Sequence, residues 1–161
     1  MERDKVLKVL SCMELLEEAA ARFYESLSRV IQDEELAELM RFVSRESENH
    51  AKVLKSFFGE PHRDECLSVL GSKGFNILLE LEEATSRIEG GWRPSQADLA
   101  DLLEKLNNLE KMAGEEVYSQ IITAAFSIEA LGPAKLLLKA IAEEEKHHYE
   151  IVLFVSKTLR E

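Results

Sequence analysis

With 161 residues, 45% of them apolar, the chain has enough material for a single domain with a real core, spanning 1–161. A net charge of −11 argues against nucleic acid or an anionic membrane as a primary partner. Only 3 Pro and 7 Gly interrupt a sequence rich in Leu, Glu, Ala and Lys, which points to an all-α protein with few, long elements.

Charged residues at the start lead straight into an amphipathic pattern rather than a signal peptide, and no apolar run approaches membrane-spanning length. Cys12 and Cys66 lack any CxxC framework and are expected to be free thiols in a reducing compartment. Together these features describe a soluble cytoplasmic protein.

The first helix is expected from about Asp4 to Ile31. Val6, Leu10, Met13, Glu17, Ala20, Tyr24, Leu27 and Ile31 keep a four-three rhythm in which Glu17 is the only charge. Its neighbours Glu14 and Glu18 are assigned to the surface. Gln32 and Asp33 make a turn, with Asp33 as N-cap of the second helix. That helix presents Leu36, Met40, Val43, Ser47, His50, Leu54 and Phe57 inward, and Gly59 and Pro61 stop it. His50 is the sole titratable group on this stripe.

Residues 59–94 are too long for a tight turn and fit a crossover back to the starting end of the bundle. Within it, a short helix over about 64–70 is broken by Gly71 and Gly74, and a second runs from Phe75 to Gly90-Gly91. His62 and Cys66, four apart, are read as a loop histidine and a boundary thiol rather than a metal pair. The third long helix opens at Ser95, with Asp98 three residues on. Its stripe is Leu99, Leu103, Leu106, Glu110, Ala113 and Val117, drifting to Ile121 and Ala124, with Glu110 the one charge. Gly132-Pro133 separates it from the fourth, whose stripe is Leu138, Ile141, Glu145, His148, Val152 and Val155.

Each long helix thus carries an ionisable interruption near the middle of an apolar seam. His50 follows Glu17 by 33 residues and His148 follows Glu110 by 38, which makes a half-repeat. Burying such groups without compensation costs several kcal/mol, of the order of about 3–5 kcal/mol for an unpaired ion, so a shared cation between the helices is implied. Glu145 and His148 rise by about 4.5 Å along one helix face, close enough to be neighbouring ligands. Carboxylates with imidazoles suit iron, manganese or zinc better than calcium or magnesium. Glu-x-x-His alone is a weak signal, since three glutamates before two histidines also generate Glu144/His147; agreement in phase across four stripes carries the weight.

These stretches resemble the rubrerythrin-type branch of the ferritin-like superfamily over nearly the full chain. The resemblance rests on Glu17-Glu-Ala-Ala-Ala-Arg-Phe-Tyr24, Arg45-Glu-Ser-Glu-Asn-His-Ala51 and Ala142-Glu-Glu-Glu-Lys-His-His-Tyr149. It implies an antiparallel four-helix bundle with a long, partly helical crossover between helices 2 and 3, and a non-haem di-iron centre used for peroxide reduction, ferroxidase chemistry or iron handling. It also implies that Glu17 and Glu110 are terminal carboxylates, Glu145 a bridging carboxylate, His50 and His148 the imidazole ligands, and Tyr24 a hydrogen-bond partner of a ligand carboxylate.

Two departures accompany the resemblance. Ser47 stands where the second bridging glutamate is expected, and Glu46 and Glu48 are each rotated about 100° from that position. Val117 occupies the counterpart of Tyr24, with Tyr118 beside it. With no CxxC pairs for a rubredoxin-like module, electrons would come from a separate donor. The Ser47 departure predicts unequal metal positions, the one toward His148, Glu110 and Glu145 binding better, for one or two ions of iron, manganese or zinc. The competing readings are an oxidoreductase acting on peroxide or dioxygen, a non-enzymatic metal- or partner-binding bundle, and iron storage. The last would need a cage, against which the end of the fourth helix at Arg160-Glu161 argues. A homodimer is expected on general grounds.

Overall fold

Short-range capping chemistry sets the helix boundaries. The computed structural model describes residues 3–108, 111 and 131–161, and among these there are six helices and no strand. They are α1 (Arg3–Ser28), α2 (Glu34–Phe58), α3 (Arg63–Val69), α4 (Gly71–Glu89), α5 (helical over 96–108) and α6 (Ala134–Thr158).

Asp33 Oδ1 accepts from the backbone N–H of Glu35 and Leu36 at 2.9 and 3.1 Å, so the α2 cap forms as expected. At α5, Ser95 and Asp98 cap each other reciprocally: Asp98 N donates to Ser95 Oγ, and Ser95 N donates to Asp98 Oδ2, both at 3.1 Å. Gly59 ends α2 with φ +84°. Helix α1 stops three residues before the expected end, because Arg29 and Val30 bond to carbonyls three rather than four residues back. Ile31 stays buried.

Hydroxyl bridges give the directions. Ser44 Oγ donates to Ala21 O at 2.7 Å and Ser11 Oγ to Gly59 O at 3.2 Å, so α1 and α2 are antiparallel. Ser156 Oγ reaches Ala100 O at 3.2 Å and Asn107 Nδ2 reaches Tyr149 O at 3.5 Å, so α5 and α6 are antiparallel too. Contacts of α2 residues 46 and 50 with α6 residues 148 and 144 make that pair antiparallel. It follows that α2 and α5 run in the same direction, and the chain must travel back along the bundle between them.

Helix α4 makes that return. Its Ile77, Leu78, Leu81, Ala84 and Ile88 are buried in one cluster with Phe23 and Leu27 of α1, Met40 of α2, Leu99 and Leu103 of α5, and Val155 of α6. The crossover therefore builds core rather than covering it. Gly71, at φ +69°, takes the bend between α3 and α4, while Gly74, expected to break a helix, lies buried inside α4. A second cluster at the other end joins Val6, Leu10, Met13, Leu54, Leu138 and Ile141. Among the described residues no helix is long and apolar enough to cross a membrane.

Three expectations are corrected. Cys12 and Cys66 are not free thiols: they form a disulfide, with Cα atoms 5.5 Å apart, that ties α3 to α1. The compositional argument for a reducing compartment falls with them, as does any pairing of Cys66 with His62, which is exposed. Phe57 is half-exposed, because the four-three rhythm drifts by the last turn of α2 and Phe58 meets the second cluster instead. Glu14 is buried at 7% exposure, not a surface residue like the exposed Glu18.

Candidate metal centre

Between the two apolar clusters lies a polar layer. On α1, Glu17 follows Met13 and precedes Ala20; on α2, Ser47 and His50 lie between Val43 and Leu54; on α6, Glu145 and His148 lie between Ile141 and Val152. Helical periodicity that serves packing at both ends thus aims these side chains at one another in the middle. Glu17, Ser47, His50 and His148 are buried, at 6%, 2%, 2% and 5% exposure.

The imidazoles lie side by side, ring centroids 5.5 Å apart and planes 23° from parallel. Each turns Nδ1 inward, 3.1 Å from Glu145 Oε1. Glu17 Oε2 is 3.5 Å from His50 Nδ1. His50 Nδ1 and Glu145 Oε1 are fully buried, and among the described residues neither has a hydrogen-bond partner of proper alignment. Donor atoms of His50, Glu145 and His148 all lie within 4.8 Å of one another. Buried polar atoms are ordinarily paired, and donor atoms converging on one point are what a shared cation takes.

The outer nitrogens are held reciprocally across the α2–α6 interface. His50 Nε2 meets Glu144 Oε2 at 2.5 Å, and His148 Nε2 meets Glu46 Oε2 at 2.6 Å. These carboxylates fix each ring's orientation and leave Nδ1 for the centre. Both are part-exposed, side chains 47% and 31% accessible, so the layer opens toward solvent along a rim of glutamates.

Electrostatics agree with the geometry. Burial pulls the His50 imidazole down, but the surrounding carboxylates of Glu145, Glu17 and Glu144 outweigh it and push it up to about 11. At His148 burial acts the same way, and Glu145 and Glu46 with Glu17 override it, raising the ring to about 9. Burial would raise Glu145, but His148 and His50 hold it well below the usual carboxylate range. In the metal-free protein the rings therefore carry the positive charge that this carboxylate cluster calls for.

Sequence reasoning placed His50, Glu145, His148 and Glu17 together, and the structure does the same. The alternative pairing Glu144/His147 does not form, since His147 is exposed. Nor is His50 satisfied by Ser47 or a backbone carbonyl, the ordinary fate of a core histidine; its partner is Glu144. Glu110 lies outside the described residues, as do Ala113, Val117, Tyr118, Ile121 and Ala124. Tyr24 is buried, its ring tilted against Phe23 at 5.2 Å. The reading missed Glu46 and Glu144 as ring anchors. A signal existed: each immediately precedes a position, 47 or 145, at which the rubrerythrin resemblance expects a bridging carboxylate. A separate groove of about 450 Å³ between α1 and α4, lined by Leu15, Glu18, Arg22, Arg63 and Glu82, holds a paired Arg63–Glu82 contact.

The rubrerythrin family profile matches residues 10–154. The chain belongs to the rubrerythrin family. No curated protein and no solved structure matches it significantly. Within the rubrerythrin frame this is an all-α, ferritin-like bundle carrying a His/Glu group able to hold a metal.

Proposed function

We propose that this chain is a non-haem iron protein that acts as an oxidoreductase on peroxide or dioxygen, drawing electrons from a separate donor. The observation that carries this reading is the buried convergence of His50 Nδ1, Glu145 Oε1 and His148 Nδ1, with Glu17 Oε2 beside them. Nitrogen and carboxylate donors together suit iron, with manganese or zinc as alternatives. Glu110, which lies outside the described residues, is the carboxylate we propose to complete the set. Iron bound there supplies one-electron chemistry toward oxygen species.

The residues of the chain do the rest. Glu144 and Glu46 keep the Nδ1 lone pairs of the imidazoles pointed inward, which requires each ring to hold its remaining proton on Nε2. Tyr24, about two turns beyond Glu17 on α1, orients a ligand carboxylate. The apolar clusters above and below exclude bulk water, and the glutamate rim gives a small substrate its approach.

Anaerobic loading with Fe²⁺ followed by hydrogen peroxide tests this. The expected result is metal-dependent peroxide consumption with a new near-ultraviolet band, both lost in Glu145→Ala. Ser47, buried at 2% exposure where a carboxylate would be needed, favours a second reading: a bundle that holds metal without turning over. Tight iron binding with neither band nor turnover would select it.

A further inference from the structure

The geometry points to a site for one divalent transition-metal ion, with both His50 and His148 on that same ion and Glu145 as their common neighbour. This inference rests on the metal-binding reading above, and it differs from the expectation of two unequal positions, the better one served by His148 without His50.

The position of a single oxygen carries it. A carboxylate that bridges two ions in the two-oxygen mode offers one oxygen to each. Here the same atom, Glu145 Oε1, stands 3.1 Å from both Nδ1 nitrogens. Donors bound to one ion at about 2.1 Å are spaced about 3.0 Å when adjacent and up to about 4.2 Å when opposite. Glu145 Oε1 is therefore already at adjacent-ligand spacing from each nitrogen. All three donors lie within 4.8 Å of one another, so a shift of less than about 1 Å between the rings seats both on one ion. Two ions in a carboxylate-bridged pair stand about 3.5–4 Å apart, and in the di-metal carboxylate bundles a second glutamate helps to hold them. The position for that glutamate is Ser47, buried and without charge.

When only the groups that would touch the ion are counted, leaving out the outer carboxylates of Glu46 and Glu144, charge agrees with one ion. Two neutral imidazoles with the Glu17 and Glu145 carboxylates bring −2, which balances one divalent ion. Two ions would bring +4, and Glu110 added to the set would still leave the cluster positive. Glu17, with Oε2 3.5 Å from His50 Nδ1, is placed to be the fourth donor. Two imidazoles with one or two carboxylates is a donor set known to hold a single iron or zinc ion with open positions.

Equilibrium dialysis of the full chain against Co²⁺ alone, read by elemental analysis and visible absorption, tests the inference. One tightly held Co²⁺ per chain is expected. His50→Ala and His148→Ala should each weaken that same ion at least tenfold and erase the same absorption bands, with helical content checked by circular dichroism. Two tightly held ions per chain would overturn the one-ion site while leaving the metal-binding reading intact. So would histidine variants that each keep an ion at unchanged affinity. No bound ion at all would overturn the metal reading itself. The stoichiometry of the unsubstituted chain decides between one ion and two even if a variant fails to fold.

Discussion

Glu14 and Ser47 show how a single position can raise or remove charge in the interior. Burial lifts the Glu14 carboxyl above its ordinary value, nearby Glu18 adds to this, Lys55 partly offsets it, and Glu60 raises it further. A carboxyl raised in the folded state destabilises the fold at pH values above its folded pKa. That cost fades as the pH falls through the folded value toward the unfolded one, near 4.5. Glu14→Gln should therefore stabilise the protein at pH 7 by about 0.2–1 kcal/mol, the range for a partly solvated charge interaction. Thermal melts at pH 7 and pH 4 check this, with the gain expected only at pH 7. Ser47 is the opposite case. Ser47→Glu should cost the metal-free protein about 2–5 kcal/mol by burying a bulkier, charged group, and should raise metal stoichiometry in elemental analysis. At the rim, Glu144→Gln cannot balance the His50 ring as a carboxylate does, and metal affinity should fall about 10–100-fold in a Co²⁺ titration.

Among the elements, α3 depends most on a covalent tie. It is 7 residues long, Cys66 is its only buried residue, and its Leu67 is exposed. The Cys12–Cys66 bond closes a separation of 54 residues and is packed by Leu15, Leu16, Val69 and Leu70. For a loop of that length chain-entropy arguments give about 4 kcal/mol of stabilisation. Denaturant unfolding of Cys12→Ser/Cys66→Ser should show a loss of about 2–4 kcal/mol relative to the oxidised chain. Limited proteolysis should cut first between α2 and α4. Helix α4 has a different status, because its buried leucines and isoleucines share the main cluster with four other helices. Being amphipathic, it was legible as a helix; its place in the core was not.

For the molecule as a whole, the polar layer joins α1, α2 and α6 through carboxylates whose charge, in the metal-free protein, the two imidazole rings offset. An ion bound there contacts three helices at once, so its binding energy adds to the stability of the assembled bundle and not of any one helix. At a metal concentration about 100 times the dissociation constant, stabilisation of about 2.7 kcal/mol is expected. Calorimetry with and without Co²⁺ checks this, and His148→Ala should abolish the increment. The sequence by itself determined the helical class, the caps at Asp33 and Ser95, the inward stripes of α1, α6, most of α2 and the described part of α5, and the in-phase interruptions at Glu17, His50, Glu145 and His148, because all of these follow from period and local hydrogen bonding along one chain segment. The Cys12–Cys66 bond, the burial of Glu14, the anchoring of each ring by a glutamate from the opposite helix, and the single oxygen facing both imidazoles were decided only by tertiary structure. They depend on the rotation and spacing of helices about one another, and a periodic pattern names which face turns inward without stating which residue meets it there.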